Sequence, residues 1–230
     1  MTNLSLTNML ANKDIRFFRR KIMHWFDNNK REYPWRQTKD PFKVLIAEMM
    51  LRRTKADQVK PVYERIFTGY PDIESFANAE EQKINEIIYP LGLKWRTPAF
   101  VLVAREIKDR YQGEVPMDRD KLLGLSGVGD YVAGAVLSIA FGKKEWIVDS
   151  NIVRLFRRYF GVKTSSDGRR NKHIIEMAKL YATSRDPRKA NLAILDFAAL
   201  ICTPQKPRHE KCPLRINCQF YLQYHDNDIH

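Results

Sequence analysis

Leu125-Ser126-Gly127-Val128-Gly129-Asp130-Tyr131 joins two apolar helical stretches, Asp118–Leu125 and Asp130–Phe141, through two glycines separated by one residue. Glycine tolerates positive φ and lets another backbone approach closely, and the amides that open the second helix form an anion site. Gly127, Val128 and Gly129 are therefore candidates to grip a phosphate. The same turn also serves as a plain tight connection between helices, and on these residues alone both readings stand. A dinucleotide-binding turn is disfavoured, because no strand precedes it.

On either side of this hairpin, apolar residues recur at helical spacing. Ile15, Phe18, Ile22 and Trp25/Phe26 form one stripe over Lys13–Asn29, with Arg16, Arg19, Arg20 and Lys21 mostly outside it. Comparable runs span Phe42–Arg53, Lys55–Thr68, Glu81–Tyr89, Lys94–Tyr111, Ser150–Phe160, Arg170–Ser184 and Lys189–Cys202. Clean period-two alternation is missing, so the chain reads as all-α, built of many short helices. Lys163–Lys172 strings polar residues together without an apolar anchor and reads as a mobile loop, and the residues after Cys218 read as a short frayed tail.

Composition narrows the function. The 230 residues carry 40 Lys plus Arg against 27 Asp plus Glu, a formal charge of +13, while 44% are hydrophobic and only three are cysteine. That apolar fraction excludes a basic disordered tail and predicts a folded core. The longest nearly apolar run, Tyr131–Phe141, is interrupted by Gly134 and Ser138 and falls well short of the ~20 residues of a membrane span. No secretory pattern opens the sequence, so a reducing cytoplasmic setting without disulfides, beside the nucleoid, is expected. The positive field attracts polyanions, with nucleic acid first and acidic membranes or proteins behind it.

The segment Leu122–Phe141, followed at once by Ile147-Val148-Asp149-Ser150-Asn151, resembles the helix-hairpin-helix base-excision DNA glycosylases of the endonuclease III/MutY superfamily. Tyr33-Pro34-Trp35-Arg36 and Ala47-Glu48-Met49-Met50-Leu51-Arg52-Arg53-Thr54 extend the likeness, which runs from about Tyr33 to Phe220. The resemblance implies two helical subdomains: a helical domain over 37–146 bearing the hairpin, and a cluster-containing domain of 1–36 plus 147–230. Asp149 would fall at the hinge and the active site in the cleft. The implied partner is double-stranded DNA containing a mismatch, bound by a monomer, with no membrane involved. A non-catalytic helix-hairpin-helix DNA-binding module is the alternative of a different class.

Breaking an N-glycosidic bond builds positive charge on the sugar and negative charge on the departing base, so a fixed carboxylate and a proton or hydrogen-bond donor are the groups to seek. By resemblance Asp149 is the carboxylate facing the deoxyribose; read without it, Asp149 is the N-cap of the helix that follows. Glu48 sits in an apolar helix, where an unpaired carboxylate is costly. The resemblance places it against the flipped base, and the alternative is an ordinary solvent-facing Glu. Endonuclease III type enzymes carry a Schiff-base Lys where this chain has Tyr131, and a phenol forms no imine, so a monofunctional glycosylase with little or no strand cleavage is expected.

Three departures bear on the base. MutY proteins usually carry Gln-Gln where this chain has Arg52-Arg53, a Gln where it has Leu192, and a further C-terminal domain where it has twelve residues after Cys218. All three favour thymine or uracil opposite guanine, with adenine opposite guanine or 8-oxoguanine as the alternative. Leu192 and Asn151 would line the base pocket. Arg53, with Arg52 beside it, would fill the gap left by the extruded base; both arginines as surface phosphate contacts is the other reading.

Cys202-x6-His209-x2-Cys212-x5-Cys218 is the most specific spacing in the chain. It resembles the 4Fe-4S loop of the superfamily over 202–218, with His209 in place of the second cysteine. Imidazole can replace one thiolate on such a cluster. A Cys3His zinc site, or an incomplete cluster with His209 not a ligand, are the alternatives.

Overall fold

A computed structural model describes residues 3–52, 54–92, 97–164 and 167–226, and all regular structure among them is helical. In chain order the α-helices are α1 (Asn3–Asp27), α2 (Pro34–Gln37), α3 (Pro41–Leu51), α4 (Ala56–Gly69), α5 (Ile73–Ala77), α6 (Glu81–Ile88), α7 (Thr97–Tyr111), α8 (Arg119–Leu123), α9 (Asp130–Ala135), α10 (Ser150–Phe160), α11 (Lys172–Ala182), α12 (Pro187–Leu200) and α13 (Gln219–Asp226). Chain contacts divide them into two compact units, residues 32–142 and residues 1–31 with 143–230. None of the described helices is long and apolar enough to cross a membrane.

In the 32–142 unit α3 is the central helix. Asp40 caps it by accepting from the Phe42 and Lys43 amides, Pro41 occupies its first turn, and everything from Val44 to Met50 is buried. That packing buries Glu48 with its apolar neighbours. The second hairpin helix does not run as one α-helix over Asp130–Phe141; it passes into a π segment at Val136–Ala140. There the buried Ser138 hydroxyl donates to the Gly134 carbonyl at 2.7 Å, the kind of side-chain competition that widens a helical turn.

In the other unit Phe18 of α1 packs against Phe156, Tyr159 and Phe160 of α10 and Tyr181 of α11, with ring centroids 4.8–6.0 Å away. Trp25 meets Phe197 of α12 edge-on at 5.1 Å. Asp196, wholly buried on α12, is held by the Arg31 side chain at 2.6 Å and the Arg31 amide at 2.9 Å, which offsets its desolvation.

Two loop readings need correction here. Within the expected frayed tail, Gln219–Asp226 form α13, packed on α10, and residues 227–230 lie outside the described residues. The 163–172 stretch does have an anchor, since Gly168 is buried and a Cβ there would come within 2.5 Å of Val153 Cγ1. The contact point is a glycine, which carries no apolar side chain to mark it in the sequence. Ser165 and Ser166 of that stretch lie outside the described residues.

Candidate active site

The hairpin is rigidly built. Ser126 donates to Glu106 twice, through its amide at 2.7 Å and its hydroxyl at 2.8 Å. Gly127 has φ +76°, and a Cβ on it would come within 2.9 Å of Met49 Cε and 3.0 Å of Ala99 Cβ. Val128 is buried beneath the turn, its amide donating to the Leu125 carbonyl at 3.2 Å. Gly129 differs: it opens α9 without a side-chain cap, and a Cβ there would meet nothing within 4 Å. The protein's own packing dictates Gly127 but not Gly129, so the open space over Gly129 and the first amides of α9 suits an external anion. Arg52 donates to the Gly127 carbonyl at 3.1 Å, bracing the turn. Arg53, the expected wedge, lies outside the described residues.

Glu48 is 3% exposed and accepts a hydrogen bond from the Tyr131 hydroxyl at 2.9 Å. The solvent-facing reading of Glu48 is thereby corrected, because its position on the wrapped helix α3 buries it. A phenol donating to a carboxylate satisfies part of its hydrogen-bonding capacity and ties α3 to the start of α9.

Asp149 caps α10: its Oδ1 accepts from the Ile152 amide at 2.7 Å. Its Oδ2 accepts from the Asn151 side chain at 2.9 Å. Asn151 in turn accepts from Arg154 Nη1 at 2.8 Å, and Arg154 spends its other nitrogens on the carbonyls of Cys202 and Ala198, each at 2.9 Å. Burial pushes the Arg154 pKa down, with the charges of Cys202 and Asp149 acting against that. A continuous chain of donors thus runs from the Cys202 carbonyl to the Asp149 carboxylate. Arg154 escaped sequence reading because it belongs to no motif; its only signal is its place one helical turn after Asn151. Leu192 is buried on α12, next to Asn191, whose side chain is bound to the Glu145 carbonyl at 2.9 Å.

Cys202, His209, Cys212 and Cys218 line one small cavity, walled by Leu155, Phe197, Ile201 and Leu214. The His209 ring lies 5.0 Å from Tyr221 and 6.1 Å from Phe220. Burial pushes the Cys212 thiol up to about 11 and raises the Cys218 thiol. Arg158 donates to the Cys202 sulfur at 3.6 Å and stacks over Phe220 at 4.7 Å, bringing positive charge where thiolates would need it. Donor chemistry and shared cavity fit a thiolate-bound metal group, although no three of the described Cys, His, Asp and Glu side chains converge on a single point.

Residues 46–180 match the HhH-GPD superfamily of base excision DNA repair proteins. The chain is 37% identical over 212 residues to the thymine/uracil-DNA glycosylase of Methanothermobacter thermautotrophicus, covering 92% of this chain and 96% of that one. A solved structure of a thermostable thymine-DNA glycosylase superposes with a TM-score of 0.86 at 37% identity, over 92% of this chain and 98% of that one. The adenine DNA glycosylase of Buchnera aphidicola subsp. Baizongia pistaciae is 30% identical over 210 residues, 89% of this chain but 58% of that protein. The chain belongs to the HhH-GPD superfamily of base excision DNA repair proteins. Its substrate is DNA and its reaction class is N-glycosidic bond cleavage.

Proposed function

We propose that this chain is a monofunctional glycosylase that removes thymine or uracil mispaired with guanine, acting as a monomer on nucleoid DNA. What carries the reading is the degree of similarity: over nearly the same stretch the chain is 37% identical to the thymine/uracil-DNA glycosylase and 30% identical to the adenine enzyme. Asp149 stabilises the developing positive charge on the deoxyribose or orients water, and the Asn151–Arg154 chain holds its carboxylate in one rotamer. Glu48, with Tyr131 as its donor, faces the flipped base; Leu192 and Asn151 shape its pocket, and Arg53 fills the vacated stack. The Gly127–Gly129 turn and the amides of α9 grip backbone phosphate.

Cys202, His209, Cys212 and Cys218 hold a 4Fe-4S cluster, which braces the loop rather than taking part in base release. Equal amounts of iron and inorganic sulfide in the purified protein are expected; zinc without iron rejects the assignment. The base choice is tested on duplexes carrying T·G, U·G, A·G and A·8-oxoguanine, with products split by alkali. Thymine and uracil release, with strand breaks only after alkali, is expected. Adenine release alone overturns the base choice, and breaks before alkali overturn monofunctionality.

A further inference from the structure

One cavity in the unit that carries Asp149 has no role in the reading above. It is an open pocket of about 540 Å³ that begins at Ser150, next to Asp149, and is bounded by α10, the loop after it and α13. Five cationic side chains line it, Arg154, Arg157, Arg158, Lys163 and Arg169, against one carboxylate, Asp167. Asp167 is already committed to Arg169 through contacts of 2.8 and 3.0 Å. Arg154 and Arg158 spend hydrogen bonds on backbone carbonyls, so neither is paired directly with a carboxylate in the pocket wall. Among the described residues the side chains of Arg157 and Lys163, both exposed, have no hydrogen-bond or ion-pair partner. Like charges gathered around one cavity repel and lower stability unless an anion enters.

The chemistry of the lining selects the anion. Phe220 is the one aromatic side chain in the wall, and Arg158 covers its ring at 4.7 Å. With that ring already engaged by a guanidinium and five cations around the space, the lining favours phosphate over a nucleobase. Its edge at Ser150 adjoins the carboxylate assigned to the deoxyribose. We infer that this pocket is a backbone-phosphate subsite, in which Arg157 and Lys163 bind the DNA strand one or two phosphodiesters from the extruded nucleotide. This deepens the proposed function and rests on it for DNA as ligand, but not for the identity of the base.

The test uses undamaged duplex, so it needs no catalysis. Binding is measured across a salt series for the intact protein, for Arg157→Gln/Lys163→Gln, and for Lys83→Gln/Lys179→Gln. The last pair removes the same charge from exposed sites already paired with Glu80 and Glu176. The pocket variant is expected to lose affinity tenfold or more at ~0.1 M salt and to flatten the log–log salt slope by about 2, one for each lost phosphate contact. The control keeps its slope. Equal behaviour of the two doubles overturns the subsite. So does inorganic phosphate raising the Tm of the intact protein, but not of the pocket variant, while the duplex slopes coincide, since that marks a free-anion site. Failure of the mismatch panel with a flattened slope would reject only the base choice.

Discussion

Asp149 uses its two oxygens differently, and this separates its structural role from the chemical role proposed for it. Oδ1 accepts from the Ile152 amide as an N-cap, while Oδ2 is turned toward Asn151. Asparagine caps a helix as well as aspartate does, whereas alanine forfeits the cap at about 1 kcal/mol. Asp149→Asn keeps the cap but turns an amide donor toward the Asn151 donor, so it should lower the Tm less than alanine does and bind duplex normally, yet lower single-turnover base release by about 100-fold or more. Asp149→Ala should lose activity equally and melt a few degrees lower, as ~1 kcal/mol implies for a chain of this size. Normal base release by the asparagine variant would leave Asp149 a cap and nothing more.

At the level of elements, the hairpin and the α10–α12 junction each make a sharp forecast. Gly127→Ala forces a side chain into a left-handed conformation costing about 1–2 kcal/mol and against Met49 and Ala99, so the Tm should fall by several degrees. Gly129→Ala meets open space and should leave the Tm unchanged while weakening duplex binding, because the new methyl group stands where phosphate approaches. Equal melting points for the two variants would contradict this division of labour. Arg154→Ala strips donors from the Cys202 and Ala198 carbonyls and from Asn151, at ~1–3 kcal/mol for groups left unsatisfied. It should lower the Tm and, by freeing Asn151, slow base release further than Arg154→Lys does; equal rates in the two variants would remove Arg154 from the positioning of Asp149.

Across the whole molecule, what could be read from sequence was what repeats at short range. The apolar stripe of Ile15, Phe18 and Ile22, the glycine pair, and the spacing of Cys202, His209, Cys212 and Cys218 are local patterns, and each falls in the expected element. The features that escaped depend on tertiary contact: α13 forms because it packs on α10, Gly168 anchors a polar loop through Val153, and Arg154 acquires its role from carbonyls far along the chain. Net charge behaves likewise: +13 announces a polyanion, but only folding shows where the unpaired cations collect. Arg157 and Lys163 alone neutralise two phosphates, while the hairpin amides are neutral. With a slope of about −0.9 per phosphate, raising salt from ~50 to ~200 mM should then weaken duplex binding by about tenfold or more. Mismatched and undamaged duplexes should show the same slope, because phosphate contacts are blind to sequence and the flipped base adds no charge. A shallow slope on both duplexes would move the source of affinity from the cationic surface to the base pocket.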